Sequence, residues 1–294
     1  LSPTALIHYI TCPLKFYFHA VARIREPEEL KTEVDALEFG NLLHHVLYEL
    51  YKPYQGKEMD KDTLQGMLKD KGHIDQIIYQ GFQQAYFKNT GANNIPIEGK
   101  NIVIQGILKK YMEGLLLLDS KKTPFTPVSL EQEILFSTPT EHGQARLGGK
   151  IDRVDKLGEE YRVIDYKTGQ DDARFQSIEK LFLPDAEGLN KAAFQLLFYT
   201  LAFQQSEKGH ITATPQLYSI PGLFGNQPDP LLYITELKAQ INQMNIHGIL
   251  EEFKVRLQEL VFEIVNPSLS FPQTSKEENC TYCPYADICH RDGG

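Results

Sequence analysis

The chain has 294 residues, 41% of them hydrophobic and 23% charged, which is enough for one large domain or two modest ones with a real core. The formal net charge of −9 argues against a simple basic nucleic-acid binder. It leaves room for a divalent-metal site, which needs acidic side chains, and for a local basic channel on an acidic body. No apolar run approaches the roughly 20 residues of a membrane helix, and no basic start precedes an apolar block, so a cytoplasmic setting without membrane contact is expected. Four cysteines in a chain this long are too sparse for a secreted disulfide scaffold. The chain begins at Leu1 rather than Met and reads as a fragment of a longer protein or a trimmed one.

In chain order, Ser2 is placed to cap a helix containing Leu6, Ile7 and Ile10. Leu37, Leu43, Val46, Leu47 and Leu50 share one face of a second helix over Ala36 to Tyr51. Helical patterning continues from 60 to 120, with a loop at Gly91 to Pro96, and predicts a helical insertion over residues 52–130. Strands are expected at Glu133 to Phe136, Ala145 to Val154 and Tyr161 to Tyr166, joined by glycine-containing turns. A helix over Asn190 to Gln205 follows, then strands at Pro215 to Ile220 and Leu231 to Thr235, and a long amphipathic helix from Leu237 to Val265. The tail after Pro267 is irregular. Gly143 to Lys150 is one residue too long for a phosphate-binding P-loop, and Ile151 stands where Ser or Thr belongs.

Two acids, Asp152 and Asp165, lie thirteen residues apart on successive strands linked around Gly158. Strand side chains alternate, so Asp165 and Lys167 share a face while Tyr166 points away. Two carboxylates and a lysine at one spot suit phosphodiester hydrolysis: the acids hold Mg²⁺ or Mn²⁺, and the lysine positions water or offsets transition-state charge. An isolated D-x-K is commonly a surface ion pair worth little. Here Ile151, Val154, Val163 and Ile164 anchor the acids on buried strands, where a charged cluster needs a purpose.

Asp152 followed by Asp165-Tyr166-Lys167-Thr168-Gly169 resembles the core of the PD-(D/E)XK nucleases, in the RecB branch. Ile151 replaces the proline before the first acid, a departure usual in that branch. Gly40-Asn41-Leu42-Leu43-His44 resembles the branch's upstream G-x-x-x-H, which implies that His44 is a further metal ligand; His45 would point about 100° away. Gln195-Leu196-Leu197-Phe198-Tyr199 resembles its Q-x-x-x-Y, with Gln195 and Tyr199 on one helical face toward substrate. The resemblance implies catalytic roles for His44, Asp152, Asp165 and Lys167, and a metal held by His44, Asp152, Asp165 and the Tyr166 backbone carbonyl. It also implies an α/β, restriction-endonuclease-like fold: a central mixed sheet flanked by helices, with a helical insertion, as a single domain over 1–294.

Cys280-x2-Cys283-x5-Cys289 closes the chain and Cys12-Pro13 lies near its start. Four thiolates suit zinc or a [4Fe–4S] cluster, and spacing alone does not separate them. One early and three late cysteines resemble the iron–sulfur nucleases, among them AddB-type helicase–nuclease subunits and CRISPR adaptation nucleases. The resemblance implies that residues 275–294 pair with Cys12. It further implies an exonuclease of DNA repair and recombination, working with a helicase or helicase–nuclease subunit or as part of a longer chain, as in the C-terminal nuclease domain of an AddB-like protein. Two other readings stand beside it: a non-catalytic DNA-binding module on the same architecture, and a zinc-stapled interaction domain.

Overall fold

The computed structural model describes residues 1–25, 35–86, 95–141, 143–169, 171–184, 189–207, 211–225 and 230–291. The Ser2 hydroxyl accepts from the Ala5 N–H, Pro3 fills the first turn, and α1 (Pro3–Thr11) buries Leu6, Ile7 and Ile10. Cys12 is extended and breaks the helix; Pro13 restarts it as α2 (Pro13–Phe16), which widens into a π turn over Tyr17–Val21. A capping box opens α3 (Ala36–Tyr51): the Glu38 N–H donates to Asp35 Oδ1 (2.8 Å) and the Asp35 N–H to Glu38 Oε2 (3.2 Å). Asp60 and Asp70 cap α4 (Lys61–Lys69) and α5 (Lys71–Gly81), and α6 (Lys100–Ser120) ends the helical run. Of the loop expected at Gly91 to Pro96, residues 91–94 lie outside the described residues.

The helical insertion thus stops at Ser120, short of residue 130. From Thr126 the backbone is already paired with the next strand, and the ladder takes the hydrogen bonds a helix would have used. β1 (Thr126–Thr140) and β2 (Gly143–Leu157) form a long antiparallel hairpin, and the segment that resembled a P-loop lies inside β2. A tight turn leads to β3 (Glu160–Lys167), with Gly158 at φ +60°, a conformation that glycine adopts without a Cβ clash. After the short β4 (Arg174–Phe175), α7 (Lys191–Ser206) is capped by Asn190 and crosses over, so β5 (Ala213–Ser219) pairs parallel to β3. The order β1-β2-β3-β5 makes a mixed sheet. The expected strand at Leu231 to Thr235 shrinks to β6 (Tyr233–Ile234), which joins β4 and β7 (Ala239–Gln240) in a small second sheet.

The last helix, α8 (Ile246–Val265), starts nine residues later than its apolar pattern suggests. Asparagines explain the delay. Asn242 Oδ1 accepts from the Met244 N–H (2.9 Å), Asn245 Oδ1 from the Asn242 N–H (2.8 Å), and Asn245 Nδ2 donates to the Gln240 carbonyl (2.9 Å). Such bonds satisfy the backbone in a turn and compete with helix. Among the described residues, no helix is long and apolar enough to cross a membrane.

Helices cover both faces of the sheet. Ile134, Leu147, Val154, Val163 and Leu217 pack with α1, α7 and α8. Leu130, Ile164, Tyr166 and Tyr218 pack with α3 to α6. The second layer holds a fully buried charge network. Arg153 makes a two-pronged contact with Asp155, from Nε to Oδ1 and Nη2 to Oδ2 at 2.7 Å each, and its Nη1 donates to Asp119 Oδ2 at 2.7 Å. Arg162 Nε donates to Asp155 Oδ2 (2.6 Å), while the Tyr51 and Tyr218 hydroxyls donate to Asp119 at 2.7 and 3.0 Å. Burial would push the Asp119 carboxyl up, but the two guanidiniums and the Tyr51 hydroxyl hold it below the usual range. Replacing Asp119 by Ala leaves Arg153 Nη1 and two tyrosine hydroxyls without their acceptor, removes a buried counter-charge, and should cost about 3–5 kcal/mol of stability. Asp75→Ala, which breaks only the surface pair with Lys109, should cost less than about 1 kcal/mol. Urea titrations compare the two, and equal midpoints would deny the network its structural role.

Candidate functional site

The β2–β3 register pairs Arg153 with Ile164, which sets Asp152 across from Asp165. The Tyr166 N–H donates to Asp152 Oδ2 at 2.8 Å, so the strand carrying the second acid aims the first. Asp165 and Lys167 share the face toward α7: Lys167 Nζ lies 2.8 Å from Asp165 Oδ2 and donates to Gln195 Oε1 at 2.9 Å. Gln195 Nε2 in turn donates to the Tyr199 hydroxyl (2.9 Å), joining two residues one helical turn apart to the lysine. The Tyr166 ring points to the opposite layer, where its hydroxyl accepts from Arg153 at 3.2 Å.

His44 arrives from α3. Its Nδ1 lies 3.4 Å from Asp152 Oδ1 and 3.6 Å from Glu131 Oε1. His45 is turned toward α5, with its Cδ2 3.5 Å from where a Cβ on Gly81 would stand. Glu131 is the residue the sequence reading missed. In the register of Leu130↔Arg153 and Gln132↔Ile151 it stands opposite Asp152, five residues beyond the true start of β1 and two before the expected strand. Its φ of +50° is rare for a residue with a side chain and marks a locally strained backbone at the site. Its one legible signal is the register itself, which pairs it with Asp152 once β1 is extended.

Among the described residues, the ligating atoms of His44, Glu131 and Asp152 gather within 4.8 Å of one another. A cleft of about 720 Å³ opens beside them, lined by His44, Glu131, Lys150, Tyr48 and Leu130. Burial alone would depress His44, but its bonds to Asp152 and Glu131 and their charges outweigh it and raise the imidazole to about 10. Glu131 falls below its usual range against the pull of burial, through His44 and through Lys150 Nζ, 2.6 Å away. Burial and the nearby Asp152 charge lift Asp165 to about 6 despite Lys167. Asp165 Oδ2 is buried and accepts no hydrogen bond, its lysine contact being an ion pair off the hydrogen-bond line. An imidazole, clustered carboxylates and an orphaned carboxylate oxygen fit a hard divalent cation.

The cysteines come together from the two ends. The Leu14 N–H donates to the Pro272 carbonyl (3.1 Å), Asn279 Nδ2 to the Thr11 carbonyl (3.2 Å), and the Tyr285 hydroxyl to the Ile24 carbonyl (3.0 Å). Burial raises the Cys280 and Cys289 thiols, and neighbouring Cys12 and Cys283 raise them further, so all four lie within electrostatic reach. None is in a disulfide.

The chain matches the family model of the PD-(D/E)XK nuclease superfamily over residues 1–290. No curated protein matches it.

Two glycines near the site differ in what they tolerate. A Cβ on Gly149 would stand 2.7 Å from Tyr199 Cε1 and 3.3 Å from Pro3 Cδ, so Gly149→Ala must displace the tyrosine and should cost about 1–3 kcal/mol. A Cβ on Gly40 meets only Thr168 Oγ1 at 3.6 Å, an ordinary contact, so Gly40→Ala should be neutral or gain up to about 1 kcal/mol from helix propensity. Thermal melts of the two variants check the order, and a Gly40→Ala loss exceeding that of Gly149→Ala would contradict this packing.

Proposed function

We propose that this chain, which belongs to the PD-(D/E)XK nuclease superfamily, is a divalent-metal-dependent DNA nuclease that hydrolyses phosphodiester bonds beside Lys167. The observation that carries the reading is the convergence of His44, Glu131 and Asp152 on one point, next to the Asp165–Lys167–Gln195 chain of contacts. His44, Glu131 and Asp152, with Asp165 and the Tyr166 carbonyl, would hold Mg²⁺ or Mn²⁺. When bound, the cation supplies Lewis acidity toward the phosphate. Lys167, held between Asp165 and Gln195, keeps one ammonium proton directed at the attacking water or at the negative charge growing on the phosphate. Gln195 and Tyr199 offer amide and hydroxyl groups that orient the scissile strand. The Tyr166 N–H keeps Asp152 from rotating out of the cluster.

For Cys12, Cys280, Cys283 and Cys289 we propose a [4Fe–4S] cluster. The preference over zinc rests on the resemblance of one early and three late cysteines to the iron–sulfur nucleases. The cluster would staple the tail to α1 and leave hydrolysis to the carboxylate site. The narrower assignment rests on the sequence resemblance: an exonuclease of DNA repair and recombination, the nuclease domain of an AddB-like subunit that works with a helicase. The one-domain organisation, with the helices from 52 to 120 inserted into the nuclease core, is part of the same proposal.

Cleavage of linear DNA with Mg²⁺ or Mn²⁺ is the first test. Asp165→Ala and Asp152→Ala should abolish it, and Lys167→Ala should lower turnover by several orders of magnitude while DNA binding persists. Glu131→Gln and His44→Ala should weaken Mn²⁺ binding at least tenfold, and His45→Ala should not. Near wild-type cutting by Asp165→Ala would sink the assignment. For the tail, Cys12→Ala should release iron, expose residues from about 275 onward to limited proteolysis and lower the melting temperature. Full iron content in that variant would exclude Cys12 as a ligand.

A further inference from the structure

Glu131 and Asp152 divide their oxygens in the same way. Asp152 Oδ1 lies 3.4 Å from His44 Nδ1, and its Oδ2 accepts from the Tyr166 N–H at 2.8 Å. Glu131 Oε1 lies 3.6 Å from the same His44 nitrogen, and its Oε2 lies 2.6 Å from Lys150 Nζ. Each acid thus turns one oxygen to the cluster and gives the other to a positive or polar group of the protein. The strand register explains how the lysine gets there. Glu131 stands across from Asp152, and Lys150, two residues before Asp152 on β2, shares its face. Lys150 is therefore the diagonal neighbour of Glu131, at a separation that a long side chain spans. The two outer partners differ in kind. The Tyr166 N–H is fixed in the backbone, whereas Lys150 is more than half exposed and lines the cleft that opens beside the cluster. Glu131 keeps its place between imidazole and ammonium at a φ of +50°, a strained conformation of the sort found where function demands a particular placement.

We infer that the site is built for a single divalent cation, with the Lys150 ammonium standing where a second one would bridge Glu131. The inference rests on the metal-dependent reading above and goes beyond it in saying how many cations the residues admit. Sites with two metals hold them roughly 3.5–4 Å apart. A second Mg²⁺ bonded to Glu131 Oε2 at about 2.1 Å would lie only ~4 Å from an ammonium that is itself 2.6 Å from that oxygen. Positive charges that close repel, so Lys150 must leave before a second cation enters. In two-metal sites the second ion meets the charge that grows on the leaving oxygen. Lys150 faces the cleft with three ammonium protons, so it can keep its hold on Glu131 and still donate to that oxygen. It is thereby assigned as a second lysine of the reaction, on the α3 side of the cluster, opposite in role to Lys167.

The test is a count of Mn²⁺ bound per chain by equilibrium dialysis, on the whole protein as purified, with iron counted separately. Mn²⁺ that persists in Asp152→Ala belongs to surface sites and is subtracted. The wild type should take up one Mn²⁺ and Lys150→Ala two, and the electron paramagnetic resonance signal of an isolated ion should give way to that of a coupled pair. Lys150→Arg, which keeps the charge, should stay at one. Lys109→Ala, which removes only the surface partner of Asp75, should match the wild type. Cutting of linear DNA below saturation should be first order in Mg²⁺ for the wild type and approach second order for Lys150→Ala. A lysine that served the fold alone would move neither the count nor the order. Two Mn²⁺ in the wild type, or one in Lys150→Ala, overturns the inference. Counts of one and two without any cutting would sink the nuclease reading and leave the inference, and cutting with the same count in both proteins would do the reverse.

Discussion

The arrangement that the site depends on is the buried pairing of Arg153 and Arg162 with Asp119 and Asp155. Four charges removed from water are costly unless every one finds its partners. Those partners come from separate elements: Asp119 from α6, Arg153 and Asp155 from β2, Arg162 from β3, and hydroxyls from α3 and β5. Only one register satisfies them. A slip of one residue in β2 would send Arg153 and Asp155 to the opposite face of the sheet. Asp152 precedes Arg153 and Asp165 precedes Tyr166, whose hydroxyl accepts from Arg153. The residues that lock the sheet to the helical layer therefore also fix where the two site acids stand.

Two kinds of carboxylate cluster lie within a few residues of each other, and their hydrogen bonding separates them. Asp119 and Asp155 are closed systems, with arginine nitrogens and tyrosine hydroxyls bonded to their oxygens. Asp165 is as deeply buried, yet one of its oxygens accepts nothing and its carboxyl is pushed up. Glu131 and Asp152 share one histidine at distances longer than a good hydrogen bond. In the first cluster every carboxylate oxygen has a donor from the protein, although Arg162 Nη1 and Nη2 make no hydrogen bond. The second holds its histidine by long contacts and leaves an Asp165 oxygen without a hydrogen bond, which a cation would engage.

Much of this was legible in the sequence, for reasons that can be named. Capping chemistry at Ser2 and the periodicity of the apolar residues placed α1, α3 and α7, the bounds of the last two to within a residue. The alternation of strand side chains put Asp165 and Lys167 together and sent Tyr166 away. What escaped was decided by partners distant in sequence. Glu131 reads as one acid in a polar run, because its importance comes from Asp152 across the ladder and from a helix some ninety residues earlier. Nothing in the sequence marks Arg153, Asp155 and Arg162 as buried, since a charge is assumed to be solvated until its burial is known. The late start of α8 turned on asparagine side chains competing with the backbone, a local effect that apolar periodicity does not register.

The meeting of the two chain ends has a consequence for how the molecule is made. α1 and α2 leave the ribosome well before Phe271, which packs on Tyr9, Phe16 and Tyr17, and Asn279, which bonds Thr11 across 268 residues. At roughly 5–20 residues per second, that separation amounts to between about a quarter of a minute and most of a minute of translation. Throughout that interval Cys12 lacks its three companions and the aromatic face of α2 has no cover. The β1–β2–β3 hairpins, whose contacts are local, can form in the meantime. The nascent chain is therefore expected to carry an assembled carboxylate sheet and an uncovered α1–α2 segment, and to depend on protection of that segment until residues 271–279 arrive.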